Sequence, residues 1–411
     1  MDSGNLVWAV TSTALVLLMT PGVAFFYGGL VKAKSVVSML MMSFGALALV
    51  SVLWILFGFS MSSVGDGNPF LAGNPFADIG LEKLATSEGA NSALVSVAFG
   101  ATFAIITVAL ISGAIADRAK FGAWMLFAGL FATLVYFPVS AWVWGGGWIM
   151  RLGEWWGTPG VIDYAGGTAV HINAGAAALA LALVLGKRVG FGKGMHKPHN
   201  VPLTLLGAAL LWFGWFGFNA GAEGTAGLLG DESSAVGLIV INTLGATAAA
   251  IIGWLVVEKL KDGKPTSVGA ASGAVAGLVA ITPACANLSP IWALVLGLVA
   301  GAVCALAVEL KYKLGFDDAL DVVGIHLVGG LIGTLYLGFF AIDTGLFTGG
   351  DGGQLVVQLV AAAGVMSFSF VVAYVVGFVI EKTIGFRIKN TDELAGVDTI
   401  VHGEEGYALV D

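Results

Sequence analysis

Eleven stretches of this chain are apolar over a length that can carry a helix across a bilayer: residues 6–30, 36–61, 93–115, 122–144, 163–186, 201–222, 234–257, 267–286, 290–310, 319–341 and 354–380. A crossing helix needs ~20 such residues for a hydrocarbon core of ~30 Å. Backbone groups in lipid must be satisfied within the spanning structure, which leaves helices or a closed barrel. Long unbroken runs with little period-two alternation argue against the barrel. Composition agrees, with 58% hydrophobic and 11% charged residues against about 25% charge in a soluble domain. The expected fold is therefore all-α, a polytopic membrane protein of eleven transmembrane helices. Residues 1–380 form one membrane domain and 381–411 a polar tail.

Basic residues orient the bundle. Of the 18 Lys and Arg, all but Lys83 and Arg151 fall in alternate loops or in the tail: Lys32, Lys34, Arg118, Lys120, Lys187, Arg188, Lys193, Lys197, Lys259, Lys261, Lys264, Lys311, Lys313, Lys382, Arg387 and Lys389. The positive-inside rule then predicts a cytoplasmic tail and an outside N-terminus, in the cell (plasma or inner) membrane. The same alternation supports eleven crossings, because one missed span would scramble it. The start, MDSGNLVW, has an acid and no base, unlike a signal-peptide n-region. Cys285 and Cys304 lie in or beside apolar segments, and neither a disulfide nor a metal site is expected from them.

Deep inside the apolar segments, away from their ends, the strongly ionisable side chains are two histidines, His171 and His326. A titratable group at bilayer depth is unfavourable and is read by default as part of a pathway or relay; imidazole passes protons near neutral pH. The plainer reading is a histidine that satisfies a buried carbonyl. The two sit at matching places in two halves of the chain. The first segment carries GVAFFYGG and the sixth GWFGFNAGA; the fifth carries DYAGGTAVHINAG and the tenth DVVGIHLVGG. Five is odd, so the halves, about 6–186 and 201–341, form two inverted five-helix repeats, with helix 11 outside them. Such repeats place a site near the midplane at their interface. At 1.5 Å per residue, His171 lies about 12 Å in from Asp163, and His326 lies about 10 Å in from the inner side of its helix. The pairs Gly166–Gly167 and Gly329–Gly330 would let those helices come close.

Several motifs go further. FYGGL (26–30), VWGGGW (143–148), DYAGGTAVHINAG (163–175), WFGFNAG (215–221), AASGAVAGLVAITPAC (270–285), DDALDVVGIHLVGG (317–330) and AGVDTIVHGEEGYA (395–408) resemble, in order, those of the ammonium transporter family (Amt/Mep/Rh), in its Amt form. The resemblance implies a homotrimer with one pore per subunit and a narrow apolar lumen lined by His171 and His326. It implies a recruitment site at the outer mouth with Trp144, Phe103 and the position of Ala222, shaped by Asp163, and a gate of Phe103 and Phe218. It also implies a regulatory tail that packs under a neighbouring subunit and meets a PII-type signal protein. One position departs from the pattern: the family commonly has Ser after FNAG, and here Ala222 is followed by Glu223. Either another oxygen serves, such as a backbone carbonyl, or the outer site is weaker. One hydrogen bond to a charged group is worth about 1.5–3 kcal/mol.

The residue types fit such a function. Aromatic faces recruit a small cation, worth about 0.5–2 kcal/mol, without separating NH4+ from K+. A dry lumen then charges K+ its dehydration, whereas NH4+ can leave its proton to a relay and cross as NH3. No GxxxxGK[ST] loop is present, so a primary pump is not expected, nor are an enzyme activity, a cofactor or a nucleic-acid partner. Each residue also has a bland role. Trp144 and Trp148 could be interfacial anchors, Phe103 and Phe218 core aromatics, Asp163 a helix cap. His196 and His199 read as solvated. Rival readings are a bis-His haem protein, an ammonium sensor acting through a partner, and an electroneutral NH3 channel of Rh type, toward which the missing Ser leans.

Overall fold

The computed structural model describes residues 2–194 and 197–408; His196, expected to be solvated, lies outside them. Among the described residues, ten long apolar helices and one shorter one make up the bundle: α1 Ser3–Leu30, α2 Ala33–Met61, α3 Ala90–Ile115, α4 Phe121–Trp156, α5 Gly167–Leu185, α6 Val201–Thr225, α7 Val236–Asp262, α8 Ser267–Ile281, α9 Pro290–Leu314, α10 Val323–Phe340 and α11 Gly353–Thr383. Among the described residues the only strand-like pairing is one isolated bridge, Ala119 to Arg387. α8 is shorter than its apolar run because Pro283 has no amide to continue the ladder, and the chain turns there. α4 is broken over 144–147, at VWGGGW, where Gly146 adopts a φ of 83°.

Large apolar side chains such as Val10, Phe44, Phe213, Ile252 and Val371 point outward from the helices, as a lipid-facing surface requires. The inside is built on close backbone approach. α1 and α6, the first helices of the two halves, pack along their lengths; a Cβ on Gly207 would strike the Phe26 backbone. α5 and α10, the last helices of the halves, cross in the same way. A Cβ on Gly330 would lie 3.1 Å from the His171 Cβ, and one on Gly175 would strike the Leu327 amide.

The starts of α5 and α10 are buried, so their first amides need partners. Asp163 precedes α5 rather than opening it. Its carboxylate accepts from the amides of Gly166, Gly167, Thr168 and Ala169 and from the Thr168 hydroxyl. Asp318 does the same for α10, accepting from Val322 N at 3.1 Å and Val323 N at 2.7 Å. Each helix then opens with a π-helical turn, Gly167–Ile172 and Val323–Leu327.

The tail is seated on its own chain. Ile388 N donates to Arg118 O and Lys120 N to Phe386 O. Arg387 Nη1 donates to the carbonyls of Leu185 and Lys187 at 2.8 and 2.6 Å. The Asp398 carboxylate accepts from Val37 N and Ser38 N, capping α2. His199, expected to be solvated, bridges Val31 O and the Tyr407 hydroxyl, each at 2.8 Å; the tail's fold back under the bundle supplies that partner.

Beside the tail lies a buried ion cluster. Arg188 binds Asp317 through Nε and Nη2, each at 2.9 Å, and Asp117 through Nη1 at 2.9 Å. Arg118, fully buried, donates to Asp317 O at 2.6 Å. Burial alone would push the Asp317 carboxyl up, but the hydrogen bonds and charge of Arg188, with the charge of Arg118, hold it below its ordinary value. Such a carboxylate stabilises the fold fully above its unfolded value of about 3.9, and the contribution is lost as pH falls through the lower folded value. Asp317→Asn leaves the arginines underpaired, which is expected to destabilise the detergent-solubilised protein by about 3–5 kcal/mol at neutral pH. Thermal melts should show that loss, and the gap between wild type and variant should narrow below about pH 4.

Candidate functional site

Most of the side chains singled out in the sequence come together along one line through the bundle. Away from the tail, the Trp144 ring stands perpendicular to Phe103, centroids 6.1 Å apart. Phe103 stacks on Phe218 at 4.2 Å with 15° between planes. Phe218 lies 6.2 Å from the His171 ring, and His171 lies 5.3 Å from His326. The two imidazoles meet through Nδ1 atoms 3.2 Å apart, so one nitrogen carries the hydrogen and the other accepts. Both rings are buried. The second nitrogen of His171, Nε2, finds no hydrogen-bond partner among the described residues.

Two cavities lie along this line, with Phe218 in the wall of both. The wider, about 180 Å³, is lined by Phe103, Trp144, Ala222, Tyr136, Ser140 and Tyr164 among others. The narrower, about 10 Å³, is lined by Tyr27, Val170, Trp215, Phe218 and both histidines within an otherwise apolar wall. That is room for about one water-sized sphere. Trp215 stacks on His171 at 5.5 Å and 16°, and its Nε1 donates to Thr282 Oγ1 at 2.8 Å. The ring that orients His171 is itself fixed.

Local structure explains the placement. The π turns rotate the side chains of Gly167–Ile172 and Val323–Leu327 relative to an α-helix and include both histidines; such turns are frequent at functional sites. Asp163 does not line the wider cavity. Its carboxylate is engaged by the α5 amides, while its backbone carbonyl accepts from Trp144 Nε1 at 2.9 Å. It thus fixes Trp144 and the start of α5 at once.

Ala222 borders the wider cavity, but its carbonyl is taken, accepting from Ala226 N at 2.9 Å and from the Thr225 hydroxyl at 3.1 Å. The carbonyl of Ala220 is occupied by Trp8 Nε1 at 2.9 Å. Both of these carbonyl oxygens are thus already hydrogen-bonded within or beside α6. Glu223, the next residue, is 2% exposed and turns toward Tyr164. Tyr136, Ser140, Tyr164, Tyr27 and Trp215 were not singled out by sequence. Tyr164 stood inside the DYAGG motif, and Glu223 was an acid at the end of an apolar run.

Comparison with known proteins agrees with this architecture. Residues 7–407 match the Ammonium Transporter Family. An ammonium transporter of Mycobacterium tuberculosis is 50% identical over 99% of this chain and 90% of its own. A protein described as a sensor Amt protein superposes with a TM-score of 0.87 at 26% identity, covering 97% of this chain and 98% of that one. Mep2 of Candida albicans superposes with a TM-score of 0.85 at 31% identity, covering 95% and 88%. With a family match over nearly its whole length and relatives of this similarity, the chain is a multi-pass membrane protein that belongs to the ammonium transporter family.

Proposed function

We propose that this protein carries ammonium across the membrane by recruiting NH4+ in the wider cavity, passing its proton along His171 and His326, and passing the NH3 so formed through the narrow cavity beside them. The observation that carries this reading is the pair of buried imidazoles 3.2 Å apart in an apolar passage behind two stacked phenylalanines. Trp144 and Phe103 recruit the cation, Ala222 forms part of the wall, and Asp163 holds the site in shape from behind. Phe103 and Phe218 act as the gate, whose rings must part for a substrate to pass. A bare K+ has no proton to leave and would enter a passage with few oxygens to replace its water, a penalty of several kcal/mol. The protein acts as a transporter rather than an enzyme, with its tail in the cytoplasm and its wider cavity outside.

Net charge movement decides between this reading and electroneutral NH3 conduction, which the hydroxyl-free Ala222 would favour. Proteoliposomes given an ammonium pulse should show a transient current; lumenal alkalinisation without current would assign the electroneutral route. His171→Ala and His326→Ala should each remove the proton path and reduce discrimination of NH4+ against K+. Unchanged current and selectivity in both variants would refute the relay. Trp144→Leu should raise the half-saturating ammonium concentration by the cation–π share, about 0.5–2 kcal/mol or roughly two- to thirtyfold, and an unaltered concentration dependence would remove Trp144 from the site.

The assembly is proposed as a homotrimer, with the tail as a regulatory element that meets a PII-type protein. Support comes from the tail's position: it holds the carbonyl of Leu185, the last residue of the helix that carries His171. Truncation at Glu381 is expected to change transport activity or its cooperativity between subunits. Pull-downs with the host's own PII protein in each nucleotide state test the partner, and absence of binding in all of them would discard it.

A further inference from the structure

The least stabilising placement of a charge near the passage is that of Glu223. It lies two residues before the end of α6, where the helix dipole is itself negative and an acid is disfavoured. It is almost wholly buried, and no Lys or Arg among the described residues forms an ion pair with it. Its oxygens are nevertheless well organised. Oε2 accepts from the Ser234 hydroxyl at 2.8 Å and from Ala235 N at 3.1 Å, and Oε1 accepts from the Tyr164 hydroxyl. Three donors on two oxygens match the ionised carboxylate, which only accepts.

Tyr164 borders the same cavity as Trp144, Phe103 and Ala222. Because its proton is given to Glu223, its oxygen keeps lone pairs for another donor. A hydrogen bond to a carboxylate is charge-assisted, and it makes the donor oxygen a stronger acceptor in turn. We infer that the Tyr164 hydroxyl is a ligand of the recruited ammonium ion and that Glu223 is the positioning residue that orients and polarises it, supplying from the segment before α5 and from α6 together the acceptor that Ala222 lacks. The ion then sits between the aromatic faces of Trp144 and Phe103, which meet its charge, and one directed oxygen, which meets an N–H. The ion's charge also relieves the buried acid. Asp163 does not serve this purpose, because its carboxylate is committed to the amides that open α5.

This assignment rests on the transport reading and is tested by the concentration dependence of ammonium-evoked current in proteoliposomes. Tyr164→Phe keeps the ring and removes the oxygen. It should raise the half-saturating concentration about tenfold or more, the loss of one hydrogen bond to a charged group, while the maximal current is retained. Glu223→Gln should shift it in the same direction. The double variant should be no worse than Tyr164→Phe alone, because the acid acts through the phenol. An unaltered half-saturation in Tyr164→Phe would overturn the ligand, and additive shifts would overturn the role of Glu223. Where Glu223→Gln fails to fold, Tyr164→Phe still decides, because it leaves the acid and its Ser234 and Ala235 partners in place. A wild-type protein without ammonium-evoked current or uptake sinks the transport reading and the assignment with it; a wild-type response with unshifted Tyr164→Phe sinks the assignment alone.

Discussion

The structure depends on how two helices begin inside protein. Backbone amides away from water must find acceptors, and the openings of α5 and α10 have no preceding turn to supply them. Asp163 and Asp318 meet that requirement, one in each half of the chain. With the first amides satisfied, each helix opens in a π turn, a rare form that occurs mostly as single turns. The π turns contain His171 and His326. The encounter of the two imidazoles therefore rests on two carboxylates that do not touch them.

Packing then keeps the passage narrow. Glycines at the crossing let α5 and α10 approach closely, and the narrow cavity beside the histidines is walled by apolar and aromatic side chains. Trp215 backs His171 with a ring that is itself hydrogen-bonded. The passage wall thus holds few polar atoms beyond the imidazoles, and a charged species meets low dielectric there while a neutral one does not. Under the proposed function, discrimination is a property of this wall and of the protons the substrate can give up, more than of the aromatic cavity outside it.

Much of this was legible in the sequence, for physical reasons that also mark the limit. Apolar run length gave the helices, since hydrocarbon thickness sets it, and Pro283 marks where α8 stops short. An imidazole in an apolar run stands out, so His171 and His326 could be paired from their motifs. The π turns could not be read, because hydrophobic run length and local composition do not distinguish a π turn from an α turn. Tyr164 and Glu223 lie 59 residues apart, and hydrophobic periodicity carries no information about that contact. His199 was misread for the same reason: its partner Tyr407 is 208 residues away, delivered by the tail's return along the bundle.

That return has a mechanical meaning. Arg387 closes on the carbonyls that end α5, and Asp398 closes on the amides that begin α2. The tail is thus bolted to the ends of two helices by charge-assisted bonds. A ligand that lifts the tail must break those bonds, and the helix ends relax by the energy the ligand spends. Thermodynamic linkage makes the exchange symmetric. Any occupant of the passage that strains α5 will change the tail's affinity for whatever grips it, by the same factor with which that grip changes the occupant's own binding.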